Sequence, residues 1–333
     1  MAPRRLPHDF NVSATYPLYA IDPAQDRAWV LHFDREDYRR ASFLDQRALH
    51  RQISGWTVSG AELAAARAPA PPLSRLRWIF HIGHCGSSLV SRLLDLIPGT
   101  LGLREPLPLL TLAHESRAAD HPWWPTVRTL LARGFEDTQA VVVKPTSIVT
   151  NVALPLLQGT GPACFLWVDL RTWLSTLLRD ADLVSAVLAT EPLRLAGMPA
   201  LAEADTAPAR LARAWLIEQL RWRELGNRVE RGRLLDVDFA QVVAAPAAAT
   251  ARIAAHFALV VPDDWAEQID ASGLLTRYAK DASQVFDANT RRRELAASAD
   301  QHAGAITEGL RWAQREIDRL EVPALALRLQ PAP

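Results

Sequence analysis

Between Trp78 and Leu96 the chain reads WIFHIGHCGSSLVSRLLDL, an apolar run that passes through Gly83-His84-Cys85-Gly86-Ser87-Ser88 directly into an amphipathic stretch. No other segment limits the fold as tightly. A buried strand, a loop of small residues and a helix N-terminus make an anion cradle, because glycines admit close backbone approach, first-turn amides lack partners, and the helix dipole favours negative charge. Ser87 and Ser88 add hydroxyl donors.

Downstream, AVVVK (140–144), CFLWVD (164–169) and RLLDVDF (233–239) repeat the short apolar pattern of RWIFHIG (77–83), as buried parallel strands do. Amphipathic stretches alternate with them, notably Ser87 to Leu96, Pro208 to Arg228 and Pro246 to Phe257, the last two opening on a proline that a helix accepts in its first turn. This alternation predicts an α/β fold with a doubly wound, mostly parallel sheet flanked by helices. Ala66 to Pro72 reads as an Ala/Pro connector and sets the one boundary, an N-terminal extension and linker over 1–74 and a main domain over 75–333. Asp34 to Asp45 is dense in charge and reads as helix, with no spacing of a known chemical site.

The 333 residues are 49% apolar and 22% charged, with 37 cationic and 37 anionic side chains. That composition suits a globular protein with a sizeable core and argues against a nucleic-acid binder that neutralises many phosphates. The longest uncharged stretch, Ser147 to Val168, is broken by Asn151, Pro155, Gln158, Gly159, Gly161 and Pro162, so no membrane segment is expected. Cys85 and Cys164 build no disulfide framework, and Asp9 interrupts any signal-peptide core; a cytoplasmic setting is the expectation.

The loop departs from several known motifs. A nucleotide-triphosphatase loop, GxxxxGK[ST], needs a lysine that is missing between Gly86 and Ser87, and the spacing of Gly83 and Gly86 does not make GxGxxG. A cysteine nucleophile elbow at Cys85 is one residue short. His81, His84 and Cys85 lack a matching ligand set for a metal. A tight turn that merely tolerates glycine and serine is the structural alternative.

The segment HCGSSLVSRLL resembles the 5'-phosphosulfate loop of sulfotransferases that use 3'-phosphoadenosine 5'-phosphosulfate (PAPS), roughly P-[KR]-S-G-[ST]-[ST] followed by a helix. LGLREPL (101–107) is similar to the loop of tyrosylprotein-type and bacterial members that carries a catalytic glutamate, and VVVKPTS (141–147) to the strand that ends on a sulfuryl-contacting lysine. RLLDVDFAQVVAAPAAATARIAAHFAL (233–259) resembles a late family segment, and TRYAKDASQVFDANTRRREL (276–295) the C-terminal Tyr-x-Lys stretch near the cofactor.

The resemblance spans about residues 77–295 and implies a P-loop NTPase-like sulfotransferase fold. It further implies that Gly83, His84, Cys85, Gly86, Ser87 and Ser88 bind the 5'-phosphosulfate. Glu105 is then the general base, and Lys144 and His84 complete the catalytic set. Arg171, Ser175, Arg179 and Lys280 are the remaining cofactor contacts. PAPS would be the donor and PAP the product, with no metal. Two departures stand out: His84 occupies the loop's lysine or arginine position, and Asp169 occupies that of the 3'-phosphate arginine.

For Glu105 the structural alternative is an ion pair with Arg92 or Arg104. Arg171, Ser175 and Arg179 can equally be solvated helix residues. Trp123-Trp124 can line an acceptor pocket or lid, or anchor a loop. The implied acceptor is a hydroxyl or amine of a small molecule, glycan or peptide. The alternatives in function are a catalytically silent nucleotide-binding module and a small-molecule kinase. The first 74 residues can cap the pocket, form the arm of a homodimer, or pack against the sheet.

Overall fold

The computed structural model describes residues 6–49, 53–66, 70–115, 118–198, 200–278, 281–285 and 288–331. Of the Ala66–Pro72 connector, residues 67–69 lie outside that description. Three antiparallel strands come first: β1 (Leu18–Asp22), β2 (Arg27–Leu31) and β3 (Gly55–Ser59). The main sheet follows, with β4 (Leu76–His81), β5 (Thr100–Arg104), β6 (Ala140–Lys144), β7 (Ala163–Trp167) and β8 (Leu234–Asp238).

Its spatial order is β5-β6-β4-β7-β8, and all four pairings are parallel. The chain therefore runs outward from β4 to one side and then returns to continue on the other. Such a reversal opens a crevice beyond the C-terminal ends of the strands, where ligands of open α/β sheets bind. Helices cover the sheet, so Val141, Val142 and Val143 are fully enclosed. That enclosure explains why β6 reads as an unbroken apolar run; each such side chain contributes about 1.5–3 kcal/mol of burial.

β5 was hidden in the sequence because LGLR is short and holds a glycine and an arginine. Its edge is covered by the N-terminal segment: the Leu44 amide donates to Arg104 O at 2.7 Å, and the Arg104 guanidinium donates to the carbonyls of Tyr38 and Ala41. An edge strand covered in this way does not expose its unpaired backbone groups. The same segment is pinned further on by Arg133, which is buried and donates to Phe10 O (2.8 Å) and Tyr16 O (2.6 Å). Burial lowers the pKa of that guanidinium to about 10. Phe10, Val30, Tyr38 and Val58 belong to the same continuous apolar core as the main sheet.

Three helices follow the expectation closely, over Ser87–Leu94, Ala207–Arg228 and Pro246–His256. The charged stretch Asp34 to Asp45 does not. Only Arg35–Arg40 is helical, opened by an Asp34/Asp37 capping box, and the backbone turns extended at Ala41. Residues 41–47 are thereby freed to reach the crevice. Among the described residues, no helix is long and apolar enough to cross a membrane.

Candidate active site

β4 ends at His81, and three residues of the following loop take left-handed backbone: Gly83 (φ 82°), His84 (φ 51°) and Gly86 (φ 83°). Gly86 is required twice over. It is the N-cap of the helix Ser87–Leu94, and a Cβ there would stand 2.1 Å from the Phe239 ring. The cradle is therefore closed from behind by an aromatic that only glycine admits. No side chain caps this helix, and its first two residues, Ser87 and Ser88, line the crevice, an arrangement that suits an anion.

The loop is held by its neighbours. Trp173 Nε1 donates to Gly83 O at 2.8 Å, and the Gly83 amide donates to His81 Nδ1 at 3.0 Å. With Nδ1 accepting, the proton of a neutral His81 sits on Nε2, which lies 2.9 Å from Pro145 O. Cys85 is buried and its thiol donates to Leu166 O at 3.4 Å, so it packs beneath the loop.

The adjoining strands bring two ionised groups to the same rim. Arg104 of β5 is in register with Lys144 of β6, which places Glu105 at the strand end. The Glu105 amide donates to Lys144 O at 2.6 Å, and Lys144 Nζ donates to Glu105 Oε1 at 2.6 Å. Glu105 adopts φ 52°, a conformation that costs a non-glycine residue about 1–2 kcal/mol and recurs at functional sites. Neither arginine of the structural alternative reaches it: Arg92 donates to Ser42 Oγ at 3.2 Å, and Arg104 pairs with Asp95 at 3.3 Å.

A residue that the sequence did not single out stands beside it. Arg47 Nη2 is 3.7 Å from Glu105 Oε2, and its guanidinium lies over the Phe43 ring, 3.7 Å from the centroid. No spacing signal marks Arg47, because it arrives from another layer of the fold.

These groups border one cavity of about 400 Å³, lined by His81, Gly83, His84, Gly86, Ser87, Ser88, Glu105 and Lys144. Phe43, Arg47, Thr176, Arg179, Phe239, Arg291 and Leu295 line it as well. Arg179 pairs with Glu294 at 2.7 Å. Arg171 and Ser175 do not line it. The Ser175 hydroxyl donates to Arg171 O at 2.8 Å, and the Arg171 amide donates to Leu329 O. The helix turns both away while presenting Thr176, and Arg179 lines the cavity from the turn just beyond the helix end.

Asp169, at the 3'-phosphate arginine's position, instead caps the helix Leu170–Leu177 by accepting from the Thr172 amide at 2.8 Å. Lys280 lies outside the described residues. Trp123 and Trp124 are core residues and do not line the cavity. Phe239 and Arg291, like Phe43, Thr176 and Leu295, were further cavity residues not anticipated. The aromatic straight after β8 was visible, but its packing on Gly86 was not. Among the described residues, no three His, Cys, Asp or Glu side chains cluster as metal ligands.

A parallel sheet with an uncapped helix N-terminus and paired charges at its switch point defines an α/β protein whose crevice suits an anion. No family model matches the chain, and no curated protein matches it. Solved structures similar to it are sulfotransferases and a dehydratase. Sulfotransferase STF1 from Mycobacterium tuberculosis H37Rv has a TM-score of 0.41 at 14% identity, over 68% of this chain and 77% of its own. Mouse sulfotransferase SULT7A1, complexed with PAP, has 0.38 at 13%, over 82% and 98%. Retinol dehydratase, in a complex with retinol and PAP, has 0.37 at 12%, over 92% and 98%. None reaches 0.5, and the functional reading rests on this chain's own cavity.

Proposed function

We propose that the protein transfers a sulfuryl group from PAPS to a hydroxyl or amine acceptor. The observation that carries this reading is the Glu105–Lys144 pair at 2.6 Å, set at the rim of an uncapped helix N-terminus whose loop resembles a phosphosulfate cradle. The amides of Gly86, Ser87 and Ser88 hold the 5'-phosphate end of the donor. Lys144 neutralises charge on the bridging oxygen and the sulfuryl oxygens, and Glu105 takes the acceptor's proton on Oε2, since Oε1 is held by the ammonium.

The acceptor oxygen or nitrogen forms its bond to sulfur as the bond from sulfur to the phosphate oxygen breaks. The electron pair of that bond leaves on the 5'-phosphate, and the acceptor's proton goes to the Glu105 carboxylate. Arg179, paired with Glu294, and Arg291, over the Phe239 ring, are the cavity cations assigned to the 3'-phosphate, and the Phe239 ring offers an apolar face to the adenosine.

The test uses sulfur-labelled donor with a panel of phenols, amines, glycans and peptides, alongside calorimetry with PAP. PAP binding together with label transfer that falls by about 10²–10⁴-fold in Glu105→Gln is the expected result. PAP binding with no transfer to any acceptor favours a silent nucleotide-binding module. No binding of either nucleotide removes the reading altogether.

A further inference from the structure

We propose that Arg47, delivered by the N-terminal segment, is the second catalytic cation of the cavity and grips the sulfuryl oxygens from the Oε2 side of Glu105, while Lys144 acts from the Oε1 side. The proposal rests on the sulfuryl-transfer reading above. It starts from a deficit, because Gly83 to Ser88 contain no lysine or arginine. A group that carries negative charge on three oxygens and sheds more onto its leaving oxygen calls for fixed donors on more than one side.

The structure brings two cations to one carboxylate. Lys144 Nζ meets Glu105 Oε1 at 2.6 Å, and Arg47 Nη2 lies 3.7 Å from Oε2. Any acceptor close enough to give its proton to Glu105 places the incoming sulfur beside both. A planar guanidinium presents parallel donors suited to adjacent oxygens of such a group.

Arg47 is held in advance of any ligand. Asp45 accepts from its Nε at 2.9 Å and from Nη2, and the same carboxylate caps the short turn Gln46–Ala48 by accepting from the Arg47 amide at 2.9 Å. Phe43 supports the flat face of the guanidinium at 3.7 Å and sits 5.4 Å from Lys144 Nζ. Among the described residues no protein acceptor engages Nη1, and half of the side chain is exposed (50%) where it borders the cavity. A cation with a purely structural role would be expected to spend its donors on the protein, as Arg104 and Arg133 do.

The segment's placement is specific to Glu105. The Leu44 amide donates to Arg104 O at 2.7 Å, and the Leu107 amide donates to Leu44 O at 3.3 Å. Leu44 is thus stitched to the residues on both sides of the Glu105-Pro106 bend. Phe43 and Arg47 flank that stitch, so the distance from Arg47 to Glu105 is set by backbone pairing.

The experiment compares donor and product in the absence of any acceptor. Calorimetric competition gives dissociation constants for PAPS and for PAP in the wild type, Arg47→Met and Arg47→Lys, with thermal unfolding of each variant run alongside. Loss of a charge-assisted contact to the sulfuryl group weakens PAPS binding by about tenfold in Arg47→Met, leaves PAP binding unchanged, and is partly restored in Arg47→Lys. Equal losses for both nucleotides, or none for either, overturn the role assigned to Arg47 while leaving the sulfuryl-transfer reading in place. A wild type that binds neither nucleotide overturns that reading first, and the Arg47 proposal with it.

Discussion

Two cation–carboxylate pairs meet near residues 144–147, and their surroundings are opposite. Lys144–Glu105 opens on the cavity through its carboxylate, whose side chain is 18% exposed against 1% for Lys144. Arg194–Glu218 lies in the helical layer behind it, at 3% and 0%. Glu218 sits within the long helix Ala207–Arg228, where apolar neighbours such as Trp215, Leu216 and Ile217 exclude water. Glu105 sits at a strand end in left-handed backbone, where water or a ligand can replace its partner. The same ionic chemistry is therefore open to a ligand in the first pair and enclosed by packing in the second.

Removing Glu218 is the sharpest way to break that comparison. Truncation to alanine leaves the Arg194 guanidinium enclosed without its counter-charge, and Arg221, 3.8 Å away, loses its share as well. Such a loss costs about 3–5 kcal/mol, read as a lower denaturant midpoint, while activity per folded molecule persists. Glu105→Gln should do the reverse, lowering turnover by about 10²–10⁴-fold with a smaller loss of midpoint. If Glu218→Gln, chosen to keep the shape should alanine not fold, cost less stability than Glu105→Gln, the division between the two pairs would be wrong.

Ser147 sharpens the comparison by joining the two regions. Its hydroxyl accepts from Arg194 Nη2 at 3.0 Å, and it lies 3.1 Å from where a Cβ on Gly83 would stand. Ser147→Ala leaves one donor of a buried guanidinium unpaired, at a cost of about 1–3 kcal/mol in chemical denaturation. The double variant with Glu218→Ala should cost less than the sum, because both changes remove partners from one guanidinium. Strict additivity would mean that Ser147 belongs energetically to the loop alone.

The sequence was legible where function lies along one stretch of chain. Gly83 to Ser88 announces its strand–loop–helix because a cradle requires small residues next to one another, and Lys144 ends a strand whose burial is written in three valines. Arg47 was not legible, since it enters the cavity from a segment whose local pattern is that of a charged surface, and Arg291, though inside the 276–295 stretch, carries no spacing that picks it out from its neighbours. The helix expected over Asp34 to Asp45 failed at Ala41 for a related reason: backbone pairing of Leu44 with β5 outweighs local propensity. Arg171 and Ser175 do not line the cavity, and linear order does not say which side of a helix faces it; Thr176 of that helix and Arg179 just beyond its end do line it.

The smallest expected effect concerns Asp169, a helix-capping carboxylate that, among the described residues, has no cationic partner of the kind the two pairs share. Burial raises its pKa above the ordinary 3.8, and Asp238 adds to the rise, while the hydrogen bond from Thr172 opposes it without cancelling it. Asp238, which caps Phe239–Ala244 through the Ala240 amide at 2.9 Å, is likewise raised by burial. A carboxyl whose folded pKa exceeds its unfolded one binds more protons in the native state. Stability therefore falls as pH rises from the ordinary value through the raised one, and above that window the destabilisation is fully present. Asparagine keeps an oxygen for the Thr172 amide and removes the charge. Asp169→Asn should flatten the decline of thermal midpoint that sets in above the ordinary carboxylate range and match or exceed the wild type once that decline is complete. A variant that keeps the wild-type slope would show that the proton resides elsewhere, and one that is less stable at every pH would show that the cap depends on a full charge.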